Sequence, residues 1–230
     1  MKSIDELALK KIPLFSTASE TTVKRLIDDV KINHMLKGTY LIRDKESTDF
    51  VYIVLSGKVS VYKLSETGER RIIFILNEGH ILNDDIVNHL PSSIDCECFE
   101  DCDILVYEKN KFLTLMQSDF EFMQAVLNQF SSKLRRTYRQ LKNAPTNISM
   151  EKKLAAKLYS LARHYGVKTQ QGILIDLPLS VVYLSNLVGA QRETVSRALK
   201  KLMEGELVYY DHKKFLIPNL KKLGEYHKEK

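Results

Sequence analysis

The apolar positions of this chain change their period along its length, and each change predicts a different kind of element. Residues 19–30 read as a short helix with Ser19 or Thr21 placed to cap its start. Short apolar runs follow. Residues 51–55 and 59–62 flank Ser56-Gly57-Lys58, a tight-turn signature, and Ser65-Glu66-Thr67-Gly68-Glu69 turns the chain into a run at 71–76. Asn77-Glu78-Gly79 is another turn, and runs at 94–99 and 103–107 are separated by Glu100-Asp101. Strands this short, recurring about every ten residues, predict a barrel or roll rather than a parallel α/β sheet.

From Asp119 the period becomes helical. Phe120, Met123, Leu127, Phe130, Leu134, Tyr138 and Leu141 recur at spacings of 3, 4, 3, 4, 4 and 3. That stripe is close to a heptad seam and spans about three heptads. It can lie on the roll or pair with a second copy. Its length favours the second, which makes Met123, Leu127, Phe130, Leu134 and Tyr138 the expected dimer interface. Asn143-Ala144-Pro145-Thr146-Asn147 then breaks the helix, because proline disfavours helix in the residue before it. The expected organisation is a sensor roll over 1–118, a dimerisation helix over 119–143 and a second domain over 144–230, with Pro145 as the hinge.

Charge sharpens this division. Residues 144–230 hold 15 Lys and Arg against 8 Asp and Glu, a net of +7, whereas residues 1–143 hold 20 against 21, a net of −1. Such asymmetry suggests a polyanion-binding module joined to a near-neutral one, although a solvated basic surface gives the same numbers. No apolar run approaches the roughly 20 residues that cross a bilayer, and the first ten residues lack a signal-peptide core, so a cytoplasmic protein is expected. Cys96, Cys98 and Cys102, three cysteines within seven residues, do not form the framework of a secreted disulfide-rich domain.

The segment that decides the reading lies beyond the break. Residues 150–164 form an amphipathic helix with Leu154, Leu158 and Leu161 on one face, ended by Tyr165-Gly166, and residues 172–177 are a short β-like run. Ser180 can cap a helix whose apolar face carries Val181, Leu184 and Leu187, and Gly189 supplies a tight turn. A second helix then buries Val195, Leu199 and Leu202. It leaves Arg192, Glu193, Ser196, Arg197 and Lys200 on polar faces, the division a helix-turn-helix needs to read a major groove. Arg197 can bond a guanine edge bidentately and Glu193 can accept from a cytosine amino group. Gln191, Thr194, Lys200 and Lys201 suit phosphates, which position without specifying.

With Arg192-Glu193-Thr194-Val195-Ser196-Arg197 in this setting, the chain resembles the Crp/Fnr family of bacterial transcription regulators over about residues 12–217. The resemblance implies an α+β protein: a cyclic-nucleotide-binding-like β-roll, a long dimerisation helix and a C-terminal winged helix-turn-helix with its wing near 209–217. It implies a homodimer on double-stranded DNA, RNA polymerase as a further partner, and Arg192, Glu193, Ser196 and Arg197 as the base-reading set. Arg192 matches the catabolite-activator branch and Ser196 the Fnr branch, so the implied half-site is TGTGA-like or TTGA-like. A two-fold dimer would present its reading helices roughly 34 Å apart on an inverted repeat.

The same resemblance locates an effector pocket for an unidentified small molecule at Asn83, Asp84, Ser92 and Ser93. Cyclic-AMP-binding members carry a Gly-Glu pair and an Arg-Ser or Arg-Thr pair there. This chain has no arginine at that place and crowds it with Asp84 and Asp85, which argues against cyclic AMP. The N-terminal cysteines that hold an iron–sulfur cluster in Fnr-like members have no counterpart, so the cofactor is left unnamed. Cys96 and Cys98 fall on one face of a strand and read as buried hydrophobes, with redox or metal sensing as the alternative. Of the histidines only His80 and His89 lie near the pocket, without metal-site spacing. The absence of a Walker loop, a G-x-S-x-G elbow or an H-E-x-x-H motif argues against an enzyme. A ligand-sensing dimer that acts through a protein partner is the alternative left open.

Overall fold

In the computed structural model, which describes residues 4–88, 90–142 and 148–228, the chain divides into two compact units. The predicted break at 143–147, with its hinge proline, lies outside the described residues, as does His89. The first unit takes residues 1–65 and 72–140, and the second takes 141–230 together with 66–71.

Seven strands build the roll: β1 (Lys31–Met35), β2 (Tyr40–Ile42), β3 (Phe50–Ser56), β4 (Val59–Leu64), β5 (Arg70–Leu76, of which 72–76 belong to the first unit), β6 (Asp95–Cys98) and β7 (Cys102–Glu108). They form two antiparallel sheets, ordered β1-β7-β3 and β2-β6-β4-β5. The runs in β3 and β7 are apolar without alternation because both faces of their sheet are covered. Val51, Ile53, Leu105 and Tyr107 point into one core cluster with the helices, while Val54, Ile104 and Val106 point into another with Val59, Val61 and Leu76. Gly57 turns β3 into β4 at φ +82°; a Cβ there would lie 2.4 Å from the Asp101 carbonyl, so only glycine fits.

Four helices flank this roll: α1 (Glu6–Lys11), α2 (Glu20–Asp29), α3 (Lys109–Ser118) and α4 (Phe120–Lys142). Ser19 caps α2, accepting from the Thr22 N–H at 3.3 Å. Asp119 does two jobs. It accepts from the Phe122 N–H at 3.0 Å, capping α4, and from the Ser19 N–H at 2.8 Å, tying that helix to the start of α2.

The structure divides the apolar stripe of α4. Met123 and Phe130 are half-buried and pack on the first unit's own core, beside the buried Phe122 and Val126. Met123 and Phe130 thus contribute to packing within their own unit. Phe120, Leu127, Leu134 and Tyr138 remain 66, 52, 51 and 60% exposed, a ridge with heptad spacing along the outer side of the helix.

The second unit comprises α5 (Met150–Tyr165), a hairpin of β8 (Gly166–Thr169) and β9 (Gly172–Ile175), α6 (Val181–Val188), α7 (Arg192–Glu204), β10 (Tyr209–Asp211), β11 (Lys214–Ile217) and α8 (Leu220–Tyr226). Its sheet runs β10-β11-β9-β8, all antiparallel. Leu154, Leu158, Leu184, Val195, Leu199, Leu202, Phe215 and Ile217 are buried in this unit.

Candidate nucleic-acid interface and effector region

The geometry of α6 and α7 follows from three local features. Ser180 accepts from the Tyr183 N–H at 3.1 Å and starts α6. Gly189 ends it in the left-handed conformation at φ +68°, and the Gly189 and Ala190 N–H groups both donate to the Ser185 carbonyl, at 2.8 and 3.1 Å. Gln191, extended, then opens α7 without a side-chain cap, so its first-turn N–H groups are left for solvent or an anion.

Val195, Ala198, Leu199 and Leu202 anchor α7 in the core. With about 100° per residue, Arg192, Glu193, Ser196, Arg197 and Lys200 share about 140° of the opposite side, and all five are exposed. Gln191 is exposed at the start of the helix, and the half-buried Thr194 sits at the margin of that face. Lys201, on the same margin, is committed elsewhere: its ammonium is 2.6 Å from the Glu151 carboxylate of α5 and holds that carboxyl down at about 2. This pins α7 to α5, a role that a pair 50 residues apart in sequence conceals.

The hairpin of β10 and β11 turns at His212 and Lys213, both at positive φ, as a two-residue hairpin demands. It is tied back to the entry of α6, where the Leu179 N–H donates to the Lys213 carbonyl at 2.7 Å and the Tyr210 hydroxyl to the Leu179 carbonyl at 3.2 Å. The lysines at 213 and 214 thus stand on a rigid projection, although Lys214 already pairs with Asp176 at 2.9 Å.

Of the expected effector residues, the structure brings Asp84, Ser92 and Ser93 together and turns Asn83 away. The Asp84 carboxylate accepts from the Ser92 hydroxyl at 3.0 Å, from the Ser93 N–H at 3.1 Å and from the Ser93 hydroxyl. Buried Asn83 instead accepts from the Tyr52 N–H at 2.8 Å and donates to the Phe50 carbonyl and to Asp85. Asp85 in turn forms a buried ion pair with Lys109 at 2.7 Å. The donors that would meet a ligand's anionic group are therefore spent on a carboxylate of the chain itself.

The three cysteines are buried and free. Burial pushes the Cys96 thiol up to about 12. The hydrogen bond between Cys98 and Cys102 raises the first and lowers the second, and the Cys102 thiol also reaches the Lys58 and Glu100 carbonyls at 3.2 and 3.1 Å. Among the described residues no cluster of His, Cys, Asp and Glu could hold a metal ion, and no helix is long and apolar enough to cross a membrane.

A second group of residues went unnoticed in the sequence. Lys133 and Arg136, one turn apart on α4, converge with His80 on a cavity of about 440 Å³. The available signal was two cations on the non-apolar side of the long helix.

Comparison with known proteins agrees with this architecture. The family model described as a cyclic nucleotide-binding domain matches residues 32–119, and a Crp-like helix-turn-helix domain matches 152–226. The anaerobic regulatory protein of Bacillus subtilis is 28% identical over 186 residues, covering 77% of this chain and 75% of that protein. A protein named CRP-like cAMP-activated global transcriptional regulator, from Mycobacterium tuberculosis, is 20% identical over 222 residues, 96% of this chain and 98% of its own. Among solved structures, a CooA mutant from Carboxydothermus hydrogenoformans superposes with a TM-score of 0.74 at 22% identity, covering 91% of this chain and 90% of that one. Two domain families in this order, on this fold and with relatives that are transcription regulators, lead to one conclusion: the chain belongs to the Crp/Fnr family of transcription regulators and carries its helix-turn-helix DNA-binding domain.

Proposed function

We propose that this protein is a homodimeric regulator that reads an inverted-repeat operator with α7 and responds to a signal other than cyclic AMP. The observation that carries the reading is the division of α7. Four core anchors hold it, while Arg192, Glu193, Ser196 and Arg197 stand together on the exposed face at the start of the helix. The ridge of Phe120, Leu127, Leu134 and Tyr138 supports pairing of two α4 helices, since a heptad row of exposed large apolar side chains is costly in water. Asp84 supports the exclusion of cyclic AMP: a phosphate would have to displace a carboxylate that already accepts three hydrogen bonds. A signal received by the first unit then shifts the population of DNA-competent dimers.

The test is selection from a random double-stranded DNA pool, with the Arg192→Ala/Arg197→Ala double variant run in parallel. Enrichment of an inverted repeat with TGTGA-like or TTGA-like arms by the native protein alone is the expected result. If nothing is enriched, with or without cell extract as a source of effectors, operator reading is wrong and action through a protein partner takes its place.

A further inference from the structure

A carboxylate outside α7 holds one of that helix's cations. At about 100° per residue, Lys201 stands about 40° beyond Arg197 around the helix, on the way to the core anchor Ala198. Its ammonium is 2.6 Å from the Glu151 carboxylate in the first turn of α5. The Glu151 side chain is 16% exposed and that of Lys201 65%. The carboxylate is therefore the fixed member of the pair, and the lysine is the one that turns outward once released.

The pair masks charge more than it braces the fold. An ion pair with one partner this exposed contributes little to stability. Arg197, one turn before Lys201 on α7, disfavours the lysine's charge, as like charges at i and i+4 do; the hydrogen bond from Glu151 outweighs this and raises the Lys201 amine. Glu151 is also bonded by its own N–H and by the Ser149 side chain, so the start of α5 orients the carboxylate toward α7. Arg197 itself is held by no carboxylate among the described residues. Of two neighbouring cations, one is thus neutralised and the other left for DNA.

We propose that Glu151 limits the domain's sequence-independent hold on DNA: it is a positioning residue that keeps Lys201 off the phosphate backbone, so that α7 binds chiefly through the face carrying Arg192, Glu193, Ser196 and Arg197. The proposal rests on the reading of α7 as the helix that enters the groove. A lysine at the margin of such a helix meets phosphate, and a phosphate contact strengthens binding to every sequence alike. With Lys201 neutralised, the domain gives up that contact and leaves unselected DNA faster, since affinity differences between related complexes lie mostly in dissociation. Glu151 touches no DNA in this scheme and acts through Lys201 alone.

The experiment is anisotropy titration of the full-length protein on a scrambled duplex and on the selected operator, each at several salt concentrations. Glu151→Ala should bind the scrambled duplex several-fold tighter at low salt and steepen the dependence of log K on log salt by about one. Glu151→Gln should act in the same direction, and the Tm of both variants should stay near the native value. Adding Lys201→Ala to Glu151→Ala should return the slope to the native one, a reversal that a merely structural role for Glu151 does not produce. Glu225→Gln, which removes a carboxylate from α8, should leave the slope unchanged. The proposal is overturned if Glu151→Ala keeps the native slope, if the double variant stays as steep as Glu151→Ala, or if Glu225→Gln steepens it equally. A native protein that does not prefer its selected operator sinks only the operator reading, because the scrambled duplex still compares the variants; one that binds neither duplex overturns both.

Discussion

On α7 the exposed side chains share one face but divide into two chemical roles. Arg197 and Glu193 can form directional bonds to base edges, so Arg197→Ala should cost about 1–3 kcal/mol on the selected operator and little on scrambled DNA. Lys200→Ala should instead weaken all sequences alike and make the salt dependence shallower by about one charge. Lys201→Ala should leave that slope nearly unchanged, because its ammonium already holds Glu151. Anisotropy titrations on both DNAs at several salt concentrations measure all three. Asp119 acts at the same scale in the first unit. Burial pushes its carboxyl up, yet the hydrogen bonds it accepts from Ser19 and Phe122 outweigh this and hold it at about 2. Its folded value lies below an unfolded value of about 3.9, so its contribution of about 2 kcal/mol is present above pH 4 and lost as the pH falls through 2. Urea unfolding of Asp119→Asn should show a flatter dependence on pH across that window. An unaltered profile would mean that the carboxylate charge does not matter.

At the scale of the element, α4 packs one side on its own core and carries an exposed apolar ridge beside it. Leu127→Asp/Leu134→Asp places charges on the exposed ridge, so it should yield a folded monomer in sedimentation with native secondary structure. Phe130→Ala removes a half-buried ring packed on the core, so it should lower stability by about 2 kcal/mol without changing the oligomeric state. A reversal of these two outcomes would show that the ridge faces solvent and the Phe130 side faces the partner. The turn leading into β6 is held as firmly from within: Asn83 bonds β3, and Asp85 pairs with Lys109 at the start of α3. Breaking a buried pair of this kind typically costs about 3–5 kcal/mol, so variants of Asp85 report on folding rather than on ligand recognition.

For the whole molecule, the two units carry different chemistry: a near-neutral roll and a basic winged helix-turn-helix. A regulator built this way should bind its operator with an affinity that falls steeply with salt, since the second unit neutralises phosphates. It should also be indifferent to cyclic AMP. Calorimetric titration of the intact protein with cyclic AMP should give no binding heat, and Tm should not move. Saturable heat would show that Asp84 yields its hydrogen bonds to a phosphate after all.

Local pattern was enough to mark the roll, the long helix and the helix-turn-helix. A continuous apolar run at 51–55, a serine cap at 180 and a turn glycine at 189 each act within a few residues of themselves. β1 was not legible. Its residues are mostly exposed, and it is a strand because five of them pair with β7 some seventy positions away. Spacings of 3 and 4 serve a core and a seam equally, so only packing could show that Met123 and Phe130 turn inward while Leu127 and Leu134 do not. Asp84 showed its charge in the sequence but not that Ser92 and Ser93 would fold back to satisfy it. The cavity beside α4 is assembled from three stretches separated by tens of residues, so it exists only once the chain has closed. Periodicity and capping chemistry are properties of neighbouring residues and survive in a linear string; charge balance and burial depend on which distant segments meet.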